Sequence, residues 1–256
     1  MQDLNVTLVQ ANQIWEDKQA NLDHYTSLLT QVDNTDLVVL PEMFHTGFSM
    51  NAEALAETMD NSEGLDWLKK KAEEFDAAFY TSLIIKEKDK YYNRGVFVYP
   101  DGKIETYDKR KSFGLAGEDE VYTAGIERKI VNYKNWNIQL QICYDLRFPE
   151  ISRNHLVNET PSYDLLIYVA NWPEKRSLHW TSLLAARAIE NQAYVIGVNR
   201  VGVDGKELKY SGDSMLIDLL GNINFFNPSR EEINSYTLLY SDLESIRKAL
   251  PFLKDQ

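Results

Sequence analysis

The chain has 256 residues, 44% hydrophobic and 26% charged, proportions that support a sizeable core and exclude disorder as the main state. Its 27 Lys and Arg against 39 Asp and Glu leave a net charge of −12, which argues against a nucleic-acid or anionic-membrane partner. One cysteine, Cys143, excludes an intrachain disulfide; with no signal-peptide pattern over Met1–Val6 and no apolar run long enough to span a membrane, a soluble cytoplasmic protein is expected.

Leu4, Val6 and Leu8 alternate with polar neighbours, predicting a strand over Leu4–Gln10. Leu22, Tyr25, Leu28, Leu29 and Val32 recur at helical spacing, predicting an amphipathic helix over Lys18–Val32. Leu37–Leu40 is wholly apolar, as a strand buried on both faces requires, and Pro41 ends it. Leu65, Leu68, Ala72 and Phe75 mark a second helix, with Ser62-Glu63-Gly64 as its turn or cap. Strands follow over Ala77–Lys86, Tyr91–Tyr99 and, after the Pro100-Asp101-Gly102 turn, Lys103–Tyr107. Asp108–Gly125 has no clear period and reads as a long functional loop. Lys129–Tyr133 and Trp136–Ile142 form a hairpin, Ile151–Val157 a short helix, and Asp164–Ala170 another buried strand. Leu178–Gln192 is a helix with Leu183, Leu184, Ala188 and Ile189 on one side. Strands over Tyr194–Asn199, Lys209–Asp218 and Thr237–Tyr240 precede a last helix near Leu243–Ala249. No repeat or linker interrupts this α/β pattern, so residues 1–256 read as one domain, and about a dozen strands imply two packed sheets.

Three polar clusters follow directly on apolar strands: Glu42, Cys143-Tyr144-Asp145 and Asn171-Trp172-Pro173. Ligand crevices in α/β sheets lie beyond the carboxyl ends of strands, so the three can converge. A lone cysteine is most often a small buried hydrophobe. Cys143, however, sits at a strand end with a polar segment behind it, where a thiol is reachable for nucleophilic chemistry. It needs a base, and the open choices are His179, which begins a helix beside the Asn171–Arg176 loop, or a carboxylate such as Glu42. His24, His45 and His155 have no supporting signature. Lys109 lies in a Lys-Arg-Lys run that by itself reads as a solvated charge cluster.

Leu40-Pro41-Glu42-Met43-Phe44, Asp108-Lys109-Arg110 and Ile142-Cys143-Tyr144-Asp145-Leu146-Arg147-Phe148-Pro149-Glu150 resemble, in order and spacing, the three motif blocks of the nitrilase (carbon–nitrogen hydrolase) superfamily. With Asn171-Trp172-Pro173 and Ala185–Asn191 added, the chain looks most like the omega-amidase branch, over about Leu4–Tyr240. The resemblance implies a four-layer αββα sandwich, a homodimer, and hydrolysis of the terminal amide of 2-oxoglutaramate or 2-oxosuccinamate through a cysteine thioester. It implies Cys143 as nucleophile, Glu42 as general base, Lys109 as third catalytic residue and Glu118 as the second glutamate, orienting Lys109 or relaying protons. Lys111-Ser112 departs from the His-Leu that family members often carry there, which leaves the shape of this loop open.

In such a site the oxyanion would meet Lys109 and a backbone N–H near Ala170–Asn171 or Tyr144. No ligand spacing offers a metal site, and the reaction needs neither a metal nor another cofactor. A substrate-carboxylate Arg is expected at Arg147, whose bland alternative is an ion pair with Glu150, and Arg176 is a second candidate. Phe48 and Trp172 are candidate pocket walls. Within the superfamily another amidase, a nitrilase or an N-carbamoyl amino acid amidohydrolase is the nearest alternative. A carboxylate-based glycosidase and a non-catalytic binding protein are the rivals of a different class. There is no Gly-x-Ser-x-Gly elbow, P-loop or Gly-x-Gly-x-x-Gly.

Overall fold

The computed structural model describes residues 2–255. The first half runs β1 (Leu4–Gln10), α1 (Lys18–Leu29), β2 (Leu37–Val39), α2 (Ala52–Leu55), α3 (Glu63–Phe75), β3 (Ala78–Glu87), β4 (Lys90–Val98), β5 (Ile104–Asp108) and α4 (Glu118–Val121). The second continues β6 (Ile130–Tyr133), β7 (Trp136–Ile142), α5 (Pro149–Ser152), β8 (Leu156–Val157), β9 (Thr160–Pro161), β10 (Leu165–Ala170), α6 (Ser177–Asn191) and β11 (Tyr194–Asn199). It closes with β12 (Val201–Val203), β13 (Lys209–Ser211), β14 (Met215–Ile217), β15 (Ile223–Phe225), β16 (Glu232–Leu238) and α7 (Tyr240–Ala249).

Two six-stranded sheets form, in the orders β16-β1-β2-β3-β4-β5 and β15-β14-β11-β10-β7-β6. Each has a parallel centre, β1-β2-β3 in one and β7-β10-β11 in the other, with antiparallel strands outside it. The period of two decides which side chains meet. Leu4, Val6, Leu8, Leu37 and Val39 face the other sheet and pack in one core with Ile138, Leu140, Ile142, Leu165 and Ile167. Val9, Val38 and Phe79 face outward against Leu22 and Tyr25 of α1 and Leu65 and Leu68 of α3. Trp180, Leu184 and Ala188 of α6 cover the outer face of the second sheet, completing the αββα sandwich. Asp17 caps α1 by accepting from the Ala20 N–H, and Ser62 caps α3 by accepting from the Leu65 N–H. Among the described residues no helix is long and apolar enough to cross a membrane.

Several boundaries differ from the sequence reading, and the first helix ends at Leu29 rather than Val32. The helix expected over Ile151–Val157 is only Pro149–Ser152. Asn154 then ties the chain to Tyr163 and Asn191 through its side chain, and Leu156–Val157 pairs as a strand with Thr160–Pro161. Lys209–Asp218 is two strands, because Gly212 (φ 77°) and Asp213 (φ 58°) turn the chain from β13, which pairs with β12, into β14 of the second sheet. The last strand is Glu232–Leu238, set by its full pairing with β1, and α7 starts at Tyr240, whose N–H donates to Asp3. Ile189, expected inside, is 53% exposed on the outer face of α6.

Candidate active site

The three strand ends meet. After β2 the chain turns sharply at Met43 (φ 46°), whose N–H donates to Ser82 Oγ. This turn leaves Glu42 fully buried. After β7 it turns at Cys143 (φ 45°), a conformation costly for a side chain with a Cβ and held only where the surroundings over-determine it. Asp145 supplies that restraint. Its carboxylate accepts from the Ile142 N–H (3.0 Å), the Tyr107 hydroxyl (2.8 Å) and the Lys111 N–H (3.0 Å), joining the cysteine turn to the loop after β5. Burial pushes the Asp145 carboxyl up to about 6, against the pull of these donors and of Lys109. The Lys111 backbone is thus fixed, while its side chain lies over the Phe148 ring and 3.5 Å from Glu150. The departure at Lys111-Ser112 therefore changes an outward-facing group and leaves Lys109 in the interior.

Lys109 is buried, unlike its neighbours Arg110 and Lys111 in the run. Its Nζ donates to Glu42 Oε1 at 3.0 Å and to Glu118 Oε1 and Oε2 at 2.8 and 2.9 Å. Glu118 opens the short α4 inside the Asp108–Gly125 loop and is itself buried. The loop closes through the Gly125 N–H on Lys109 O, an approach so tight that a Cβ at Gly125 would sit 2.2 Å from Asp108 O. Asn171 donates its backbone N–H to Glu42 Oε2 at 2.8 Å, and its carbonyl lies 4.0 Å from Cys143 Sγ. Burial pushes the Cys143 thiol well up, Glu42 pushes the same way, and Lys109 opposes them. Burial alone would lower the Lys109 ammonium, but Glu118 and Glu42 outweigh it and hold it well above its ordinary range. Burial and Glu42 thus favour the protonated thiol, and the two carboxylates favour the charged lysine.

A cavity opens onto Cys143. Phe48, Tyr144, Arg147, Asn171, Trp172 and Arg176, all named from the sequence as candidates, line it. Ala170 does not: it lies fully buried within β10, paired to Asn199 of β11. The Asn171 N–H is not open to an oxyanion either, since Glu42 holds it. Arg147 lies over the Trp172 ring at 4.8 Å, with Nη2 3.0 Å from His179 Nδ1. Glu150 pairs with Lys111 instead, and among the described residues no carboxylate forms an ion pair with Arg147 or Arg176. His179 therefore serves Arg147, while His45 lies against Glu57 and His24 against Glu231.

Several lining residues escaped the sequence reading. Phe113 stacks under Arg176, and Asp204, Lys206, Leu208 and Tyr210 come from the β12–β13 hairpin. The Asp204 carboxylate is spent within that hairpin, accepting from Lys206 N, Leu208 N and the Tyr210 hydroxyl. The cavity therefore faces its ligand with cations. Asn93 also escaped; it bridges Glu42 and Glu118 from β4. Asn199 at the end of β11 accepts from Trp172 N and donates to Trp172 O, fixing that wall.

The sequence model of the carbon–nitrogen hydrolase family matches residues 5–248. An omega-amidase of Yersinia enterocolitica is 46% identical, over 100% of this chain and 97% of its own length. A 2-oxoglutaramate amidase of Paenarthrobacter nicotinovorans is 32% identical, over 99% of this chain and 89% of its own. A CN-hydrolase superfamily protein of Xanthomonas campestris, solved with an arsenic adduct in its active site, superposes with a TM-score of 0.97 at 40% identity, covering 100% of this chain and 98% of that one. The match takes in every strand end and loop that carries Glu42, Lys109, Glu118 and Cys143, and the chain belongs to the carbon–nitrogen hydrolase family.

Proposed function

We propose that the protein is an omega-amidase that hydrolyses the terminal amide of 2-oxoglutaramate or 2-oxosuccinamate. The observation that carries this reading is the pairing of Cys143 and its buried Glu42–Lys109–Glu118 cluster with a cavity whose Arg147 and Arg176 lack carboxylate partners. Two unpaired guanidiniums in a chain of net charge −12 fit an anionic substrate, and a 2-oxo acid amide offers one carboxylate far from the scissile bond.

Glu42 takes the proton of Cys143, and Sγ attacks the amide carbon as the C=O π pair moves onto oxygen. The Lys109 ammonium and the Tyr144 N–H, at the start of the turn after Cys143, stabilise that oxyanion. The intermediate collapses as the C–N bond breaks, and Glu42 returns its proton to the departing nitrogen, giving ammonia and a thioester. Glu42 then takes a proton from water; the hydroxide attacks the thioester and Sγ leaves with the proton, releasing the 2-oxo acid. Glu118 holds Lys109 in place through both carboxylate oxygens. A glycosidase is disfavoured, because the Lys109 ammonium fills the gap between the two carboxylates where a sugar would lie. The protein acts as a homodimer in this reading.

The test is ammonia release from 2-oxoglutaramate by wild type and by folded Cys143→Ala. Release by the wild type and a loss of at least about 10³-fold in the variant are expected. Release that survives the substitution overturns the mechanism. No release by a wild type whose Cys143 is alkylated quickly moves the substrate to another amide, a nitrile or a carbamoyl amino acid.

A further inference from the structure

An ionised carboxylate offers about four acceptor sites, two on each oxygen. Glu118 uses all of its sites: Oε1 accepts from Lys109 (2.8 Å) and Asn93 (3.2 Å), Oε2 from Lys109 (2.9 Å) and the Phe113 N–H (2.5 Å). Glu42 uses three. Its Oε1 accepts from Lys109 (3.0 Å) and Asn93 (2.7 Å), and its Oε2 accepts from the Asn171 N–H (2.8 Å). One site remains in the whole cluster, on Oε2 of Glu42.

Asn93 is the one neutral side chain bonded to both carboxylates, and it is 2% exposed. Its orientation is fixed by chemistry: turning the amide over would set its oxygen 2.7 and 3.2 Å from two carboxylate oxygens. Its Oδ1 has no partner among the described residues, so the side chain is held by its two donated bonds. Its backbone carbonyl accepts from the Lys109 N–H at 3.0 Å, so one residue of β4 places all three charged groups.

We propose that Asn93 is a positioning residue that directs the Cys143 proton to Oε2 of Glu42 by occupying the competing sites on both carboxylates. This deepens the reading above and rests on Glu42 as the base. Without Asn93, Oε1 of Glu42 and Oε1 of Glu118 would each gain an open site, and a proton arriving in the cluster could be shared between two acids that face one lysine. Aspartate in its place can donate only when protonated, and then only one bond.

The experiment is the pH profile of Cys143 alkylation by iodoacetamide, which needs no substrate, in wild type, Glu42→Gln, Asn93→Ala and the isosteric Asn93→Asp. A hydrogen bond to a charged group is worth enough that losing it moves the acid limb to higher pH by about one to two units, with a roughly five- to fiftyfold slower reaction at the wild-type midpoint. Both Asn93 variants are expected to show this, and Glu42→Gln is expected to lose the limb. A limb that stays in place in either folded Asn93 variant overturns the proposal, even where the rate falls, because looser packing alone lowers a rate without moving a titration. A wild-type profile in Glu42→Gln overturns the base assignment and this inference with it. Failure to hydrolyse 2-oxoglutaramate bears on the substrate and leaves the alkylation result standing.

Discussion

Arg147 shows how a single residue's role turns on what does not contact it. Four residues after Cys143 it can reach a ligand in the cavity, and the competing role, an ion pair with Glu150, is removed because Glu150 lies by Lys111. The guanidinium rests on Trp172 at 4.8 Å and touches His179, contacts that orient it without neutralising it. Arg147→Gln is therefore expected to lower kcat/KM for 2-oxoglutaramate by roughly 10–100-fold through KM, as loss of a charge-assisted bond implies. Arg147→Lys should recover little of it, since an ammonium neither stacks nor forks on a carboxylate. Equal losses on a neutral amide of the same length would show that Arg147 shapes the pocket and does not bind the carboxylate. Cys143, Glu42 and Lys109 could be picked out because each lies in a motif block of the family that the sequence resembles, and Glu118 only through that resemblance. Asn93 could not: in Tyr91-Tyr92-Asn93-Arg94 an asparagine on a strand reads as a solvent-facing polar position, and only the fold of the Asp108–Gly125 loop covers it.

At the scale of elements, a buried carboxylate ties together the segments that frame the Glu42 turn. Glu57 accepts from Lys18 at the start of α1 (2.9 Å) and from Ser62, the cap of α3 (2.5 Å), and it lies 3.3 Å from His45 of the turn itself. Burial would raise its carboxyl, but His45, Ser62 and Lys18 outweigh that and lower it from 4.5 to about 2. A carboxyl depressed in the folded state stabilises it fully above about pH 4.5, and that stability is lost as pH falls from 4.5 toward 2. We expect Glu57→Gln to cost about 2–3 kcal/mol at neutral pH and to flatten the decline of denaturant-measured stability across that window. Parallel slopes for variant and wild type would show that Glu57 does not carry it. Such ties explain which elements the sequence predicted. The long helices over Lys18–Leu29 and Glu63–Phe75 and the strands of four or more residues showed their period. Elements of two to four residues, such as α2, β8, β9 and β12, have none, and tertiary hydrogen bonds create them.

At the scale of the whole molecule, the two-sheet sandwich was implied by strand count and family resemblance. The strand order was not, because β16 returns 234 positions later to pair Leu238 with Leu4, and nothing local announces a partner so distant. The outer helical layer leaves a further feature: Ile189 (53% exposed) at the end of α6 and Leu220 (54%) stand together, since a Cβ at neighbouring Gly221 would meet Ile189 at 2.8 Å. An exposed apolar patch of this kind fits a contact between two copies. The net charge of −12 on each copy opposes that contact, so the apolar patch must supply the attraction and salt must assist it. Light scattering at micromolar concentration is therefore expected to give twice the 29.6 kDa chain mass, with dimer dissociation weakening as salt rises. Ile189→Glu, placing a like charge in this apolar patch, should yield a folded monomer. A monomeric wild type removes the dimer, and a variant that stays dimeric moves the interface to another face.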